Sequence, residues 1–417
     1  FGKVSLDIEP QASKEFTVPV GNLKPQAGTE YFVNFNVTTV EKEPLIPIGH
    51  EIACDQFRLP IESPKKAFKT SGPKLTVSTN GDNLSASSSK VNFVFNRKTG
   101  IVTSYKVDGT EYFSEGFGIQ PNFWRAPTDN DYGNGMPKRL QVWKESSKNF
   151  NVTDATVTMD GNNAVVNVNY LLPAGNLYIV NYTIYPSGAV NVAARFTSTD
   201  MDAAQTEVSE ATRTATFTPG RDAARKEASK LNVPRIGVRF RLPASMNQVE
   251  YFGRGPAENY LDRNAGSMIG LYKSTAEELY FPYVRPQENG HHTDTRWVSL
   301  STGKKGLLIQ ADNTIGFNAL RNSIEDFDDE EATGLPRQWS NFTPEQVANH
   351  DEAAAKSVLR RQHHINDITP RDFVEVCVDL KQQGVAGYDS WGSRPEPAYT
   401  LPANREYNWG FTLIPLK

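Results

Sequence analysis

Apolar and polar residues alternate along this chain with a period of two, and short turn signals break the alternation at regular intervals. That pattern limits the fold more than any other feature. In EYFVNFNVTTV (30–40), Tyr31, Val33, Phe35 and Val37 share one face, as in a sandwich strand with one side buried. From about residue 73 similar runs recur, separated by NGD (80–82), VDGT (107–110), MDGNN (159–163), YPSGA (185–189) and STGKKG (301–306). The spacing is that of a β-meander. Nowhere does strand alternate with amphipathic helix at the rhythm of a βαβ unit, which argues against a parallel barrel or a doubly wound sheet. The fold class is therefore mainly β.

Two helical interruptions stand out. DAARKEASK (222–230) follows a polar stretch, and TPEQVANHDEAAAKSVLRRQ (343–362) opens with Thr343 as N-cap, Pro344 at the first helical position and Gln346 closing a capping box. The acidic run EDFDDEEATG (325–334) reads as a solvated loop rather than a metal site. PIESPKKAFKTSGPK (60–74) is polar and aperiodic, the mark of a linker, and sets a boundary at about residue 62 between domains 1–61 and 62–417.

With 417 residues, 38% hydrophobic and 22% charged, the chain suffices for one large domain and a smaller one. A net charge of −4, with no cluster of Lys or Arg among aromatics, speaks against nucleic acid and membrane surfaces as partners. No apolar run reaches the roughly 18 residues of a membrane span. The opening FGKVSLDIEP lacks the basic start and apolar core of an export signal, and the compartment stays open. Cys54 and Cys377, far apart in strand-like contexts, read as buried free thiols rather than a bridge.

The candidate chemistry lies in four segments. QPNFWRAPTDNDYG (120–133) sets Trp124 and Arg125 between prolines ahead of Asp129, Asn130 and Asp131. Ring, guanidinium and carboxamide suit the apolar faces and hydroxyl rim of a sugar, while DND alone reads as a turn held by Asx bonds. YFGRGPAENYLDR (251–263) carries Arg254, Glu258, Asn259 and Asp262, and its glycines do not open a helix after a strand, so dinucleotide binding is rejected. PYVRPQENGHHTDTRW (282–297) packs in Arg285, Glu288, His291, His292, Asp294 and Arg296. Adjacent histidines have the wrong spacing for a zinc helix. Glu288 and His291 are either a proton-transferring pair or part of a buried network bracing strand ends. GVAGYDSWGSRP (384–395) is an ordered loop in which glycines permit tight turns and Asp389 can pin the backbone. There Trp391 either fills a local gap or offers a face to a ligand.

In this order, NFWRAPTDND, GRGPAENYLDR, PYVRPQENG and GYDSWG resemble the C-terminal region of the large β-galactosidases of glycoside hydrolase family 2, and the likeness covers essentially the whole chain. It implies that residues 62–417 form the small-chain domain, a large antiparallel supersandwich similar to galactose mutarotases. Residues 1–61, ending GHEIACDQFRLP, resemble the later strands of the immunoglobulin-like domain before it. The polar insertion near 199–231 and the helical segment around 325–361 depart from the family pattern.

The resemblance also implies roles. Trp391 would stack on the glucose or other aglycone, with Asp389, Trp124, Arg125, Asn259, Glu288, His291 and Arg296 as further substrate contacts. A retaining glycosidase needs two carboxyls about 5 to 5.5 Å apart. In the family these are glutamates on a TIM barrel that also binds Mg²⁺, and no βα repeats exist here to carry them. The chain thus looks like a piece beginning partway through the fourth domain of a longer β-galactosidase. It would have no catalytic residue, metal or cofactor of its own and would be inactive alone. Its partners would be a galactoside, its own upstream domains and further copies in a homo-oligomer. The alternatives are a sugar-binding or assembly module without catalysis, and an aldose epimerase using Glu288 or His291.

Overall fold

Each of these turn signals is a chain reversal in the computed structural model, which describes residues 2–5, 7–198, 231–328, 364–389 and 392–417. The helical signals at 222–230 and 343–362, most of the acidic run, and Trp391 lie outside the described residues. At VDGT, Asp108 (φ 49°) and Gly109 (φ 77°) both take the left-handed conformation that a two-residue hairpin of the strand-matching type requires.

The chain divides into two compact units, Phe1–Phe68 and Lys69–Lys417. In the first, β1 (Phe32–Thr38) pairs antiparallel with β2 (Glu51–Arg58), from Phe32 opposite Arg58 to Val37 opposite Ala53. The expected buried face of β1 is not found: Phe35 is 40% exposed and Phe57 53%. Among the described residues β1 pairs with β2 alone, and two strands cannot cover their own side chains. For the same reason Cys54, on β2, is exposed rather than buried, while Cys377 is buried as expected.

The second unit opens with an antiparallel meander of five strands: β3 (Thr76–Asn80), β4 (Asn83–Ser87), β5 (Val91–Asn96), β6 (Ile101–Val107) and β7 (Thr110–Glu111). Among the described residues its other sheet has twelve strands. In chain order they are β8 (Gln120–Asn122), β9 (Asn151–Asp160), β10 (Asn163–Leu171), β11 (Leu177–Ile184), β12 (Val190–Phe196), β13 (Arg235–Pro243), β14 (Gln248–Gly255), β15 (Met268–Thr275), β16 (His292–Ser301), β17 (Gly306–Leu320), β18 (Phe373–Gln382) and β19 (Tyr407–Leu416). Alternate residues point inward, Val91, Phe93 and Phe95 from β5 and Val166, Val168 and Tyr170 from β10. The two sheets meet in a shared core, where the Phe93 and Phe95 rings lie 5.6 and 6.2 Å from that of Tyr182. The buried Tyr105 hydroxyl donates to the Gly188 carbonyl at 2.6 Å, so its polar end is satisfied.

The large sheet forks at β17. This strand pairs with β16 along both halves, but Gly306–Ala311 pair on the other edge with β19, whereas Gly316–Leu320 pair there with β18, which continues through β13 to β8. Three short helices that the sequence reading missed, α1 (Asp129–Gly133), α2 (Met136–Arg139) and α3 (Gln141–Ser146), close the end of the core beside β8. DND is thus the first turn of α1, not an Asx turn: the Thr128 side chain accepts from Asp131 N and the Asp131 carboxylate from Thr128 N. The start of the acidic run is solvated only in part, with Glu325 exposed and Asp326 and Asp328 buried. It forms α4 (Ile324–Phe327), in which Asp326 pairs with Arg371, and Glu325 takes both terminal nitrogens of Arg239 at 2.7 Å. Partial desolvation opposes ionisation of Glu325, yet the Arg239 charge overrides it and holds the carboxyl at about 2.

Phe123 is fully buried, with ring centroids 5.1 Å from Tyr178, 5.7 Å from Phe196 and 6.3 Å from Trp143. Phe123→Ala should lower unfolding free energy by about 3–5 kcal/mol in urea denaturation, and a loss below about 1 kcal/mol would contradict the packing described.

Candidate functional site

At the fork, strand pairing turns charged side chains inward, and burial obliges them to find partners. Arg235 begins β13 with no exposed surface. Its Nη2 donates to Glu288 Oε1 and to Asn318 Oδ1, each at 2.9 Å, and its Nε lies 3.1 Å from Asp379 Oδ2 on β18. Glu288 Oε1 also accepts from Asn318 Nδ2 at 3.1 Å and from Gln382 Nε2 at 2.7 Å. Burial pushes the Asp379 carboxyl up to about 7, against the pull of Arg235.

His291 Nδ1 lies 2.9 Å from Asn318 Oδ1, the oxygen that already accepts from Arg235, so Nδ1 carries the hydrogen. Burial, and then the Arg235 charge, hold this imidazole well below the usual histidine range. Glu288 thus binds Arg235 and Asn318, and His291 binds the same Asn318, within one network of the kind the bracing alternative describes. Their exposures are 4% and 1%. The cavity beside them, lined by Arg235, Glu288, Asn318 and Cys377, measures about 20 Å³, room for a water and not for a sugar ring.

The other predicted residues divide by exposure. Trp124 is 3% exposed and donates Nε1–H to Asp328 Oδ2 at 2.7 Å, so it is a core side chain with no face open to a ligand. Arg125 has no exposed surface and pairs with Asp131 at 3.0 Å. Asn259 is also fully buried: its Oδ1 accepts from Thr293 N at 2.9 Å and Thr293 Oγ1 at 2.6 Å, and its Nδ2 donates to the Arg254 and Ala257 carbonyls at 3.1 Å. Arg296, partly exposed, donates to the Asp294 carbonyl at 2.5 Å and lies 5.6 Å from the Phe252 ring centre.

Three of the four motifs converge on the base of the fourth. Arg125 Nη2 donates to the Gly384 carbonyl at 3.3 Å, and Asn130 Nδ2 to the carbonyls of Val385 at 3.2 Å and Ser393 at 2.7 Å. Asp262 receives two backbone N–H groups of the same loop. Glu288 reaches it through Gln382, just before the loop. At the tip, Asp389 is exposed and Tyr388 is 57% exposed. The sequence reading missed Arg235, Asn318, Asp379, Gln382 and Tyr388. The signal for two of them was a charge at an inward position of an apolar strand, in RIGVRFRL and DFVEVCVDL.

The paired histidines give a pH dependence. Burial lowers His292 to about 4, while the unfolded side chain titrates near 6.5. Between those values the unfolded chain binds more protons, so stability falls as pH drops from about 6.5 to about 4, by about 3 kcal/mol for His292 alone. Asp379 acts in the opposite sense, since its native carboxyl keeps its proton up to about 7. Urea midpoints across this window should fall less steeply with acidification in His292→Gln than in the wild type. Equal slopes would contradict a neutral buried His292.

Comparison with known proteins follows these motifs. Residues 87–413 match the family model described as the β-galactosidase small chain, and residues 1–60 that of β-galactosidase domain 4. A β-galactosidase of Priestia megaterium is 30% identical over 415 residues, 99% of this chain and 34% of that protein. One from Streptococcus thermophilus is 25% identical, with 99% and 34% covered. The chain thus spans about a third of the length of these curated relatives. Among solved structures, a putative aldose 1-epimerase of Escherichia coli K12 aligns at TM-score 0.35 and 8% identity, over 83% of this chain and 99% of that one. A galactose mutarotase related enzyme of Lactobacillus acidophilus aligns at 0.38 and 10%, over 80% and 97%. On the match across residues 87–413, the chain belongs to the β-galactosidase small-chain family.

Proposed function

We propose that this chain is the C-terminal part of a glycoside hydrolase family 2 β-galactosidase and walls the aglycone side of an active site whose chemistry lies upstream. The carrying observation is the convergence of the buried motifs on the base of the 384–393 loop. A stacking platform has to be rigid, and here Arg125, Asn130 and Asp262 hold that base from two sides. On this reading Trp391 and Asp389 are the loop's contacts to the aglycone. Arg296 remains a candidate outer contact. Arg125 and, through Gln382, Glu288 brace the loop from behind, while burial withdraws Trp124, Asn259 and His291 from any ligand.

The catalytic glutamates and Mg²⁺ then belong to an upstream barrel. The uncovered β1–β2 hairpin supports upstream partners in the same polypeptide. Its Phe35 and Phe57 rings pack edge to face at 5.8 Å, leaving an apolar face of the kind that further strands of an immunoglobulin-like domain would cover.

In the longer enzyme, Trp391→Ala should raise KM for lactose about three- to tenfold, as one lost aromatic contact of about 0.5–1.5 kcal/mol implies, and leave turnover of methyl galactoside unchanged. Unchanged kinetics on both substrates would refute the wall. The isolated chain should not cleave a chromogenic galactoside or speed the mutarotation of fresh α-galactose. Acceleration in polarimetry would instead support the epimerase reading.

A further inference from the structure

We infer that Asp262 is a positioning residue: its carboxylate latches the backbone of the 384–393 loop and so sets where the loop's exposed side chains stand, a role that rests on reading this loop as the aglycone wall. Asp262 Oδ1 accepts from Val385 N at 2.9 Å and Oδ2 from Ala386 N at 2.7 Å. Two successive N–H groups on one carboxylate form an anion-binding nest, with both hydrogen bonds strengthened by the charge.

The backbone is shaped for this contact. A Cβ on Gly384 would lie 2.3 Å from Asp262 Oδ2, so only glycine admits the carboxylate. Ala386 sits at φ 54°, in the left-handed region that a side chain disfavours and that surrounding bonds must enforce. Asp262 supplies one of those bonds. The peptide groups of Val385 are held on opposite edges, the N–H by Asp262 and the C=O by Asn130 Nδ2. Farther along, Tyr388 N donates to Ser393 Oγ at 3.2 Å, which closes the loop over this fixed base. Asp262 thus acts through the loop and need not touch substrate.

Hydrogen exchange on the 417-residue chain tests the latch, comparing wild type with Asp262→Asn, which preserves shape but turns one acceptor into a donor, and with Asp262→Ala. The peptide covering Val385 and Ala386 should exchange about tenfold faster in both variants, with β14, β16 and β18 peptides unchanged as evidence of an intact fold. Equal exchange at Val385 and Ala386 overturns the latch. The kinetic arm uses the longer enzyme. There Asp262→Asn should raise KM for lactose about threefold or more, with kcat on methyl galactoside unchanged. If exchange rises but KM does not, Trp391→Ala separates the causes. A raised KM in that variant leaves the wall standing and removes Asp262 from it, whereas an unchanged KM removes the wall and the positioning role together.

Discussion

The buried charge of Arg235 is the constraint around which the second unit is organised. A guanidinium with no solvent cannot stand alone, and its carboxylate partners come from separate parts of the chain, Glu288 from the segment before β16 and Asp379 from β18. That requirement is met where β17 leaves β19 and turns to β18. One rung further along, Arg239 faces Glu375 at 2.9 Å and Glu325 at 2.7 Å. The two rungs tie β13 to β18 along an interior that is otherwise Val, Ile and Phe.

Function, on the reading proposed, is the outward end of this polar interior. Buried Arg125–Asp131 and partly exposed Asp262 reach from the core to the backbone of one loop, and exposure rises along it from buried Gln383 to exposed Asp389. A buried network of charges and amides favours one geometry, because each donor moved leaves an orphaned partner in a low dielectric. Rigidity of this kind suits a surface that orients a sugar and makes no covalent step of its own.

Much of this was legible in the sequence, and the gaps have physical causes. The turns at 107–110 and 159–163 were readable because glycine and aspartate supply positive φ whatever surrounds them. NFWRAPTDND, GRGPAENYLDR and PYVRPQENG were legible as candidate chemistry from their residue types, whereas their convergence on one loop was not. The helices between 129 and 146 escaped because they span four to six residues, too short for a period of 3.6 to declare itself. Trp124 appeared to be a sugar platform because an indole between prolines looks alike in a loop and in a core. Its bond to Asp328, 204 residues away, decides which it is.

By itself, the sequence determined the strands, their reversals and the segments in which chemistry could lie, since alternation and turn preference are local properties of the backbone. Only the tertiary structure decided which residues in those segments brace the interior and which face outward. Burial at the fork of β17 rests on pairings such as Arg235 with Asp379, and the loop's geometry on pairings such as Asp262 with Val385, each more than a hundred residues apart. No local pattern encodes which side of such a pairing will be closed to water.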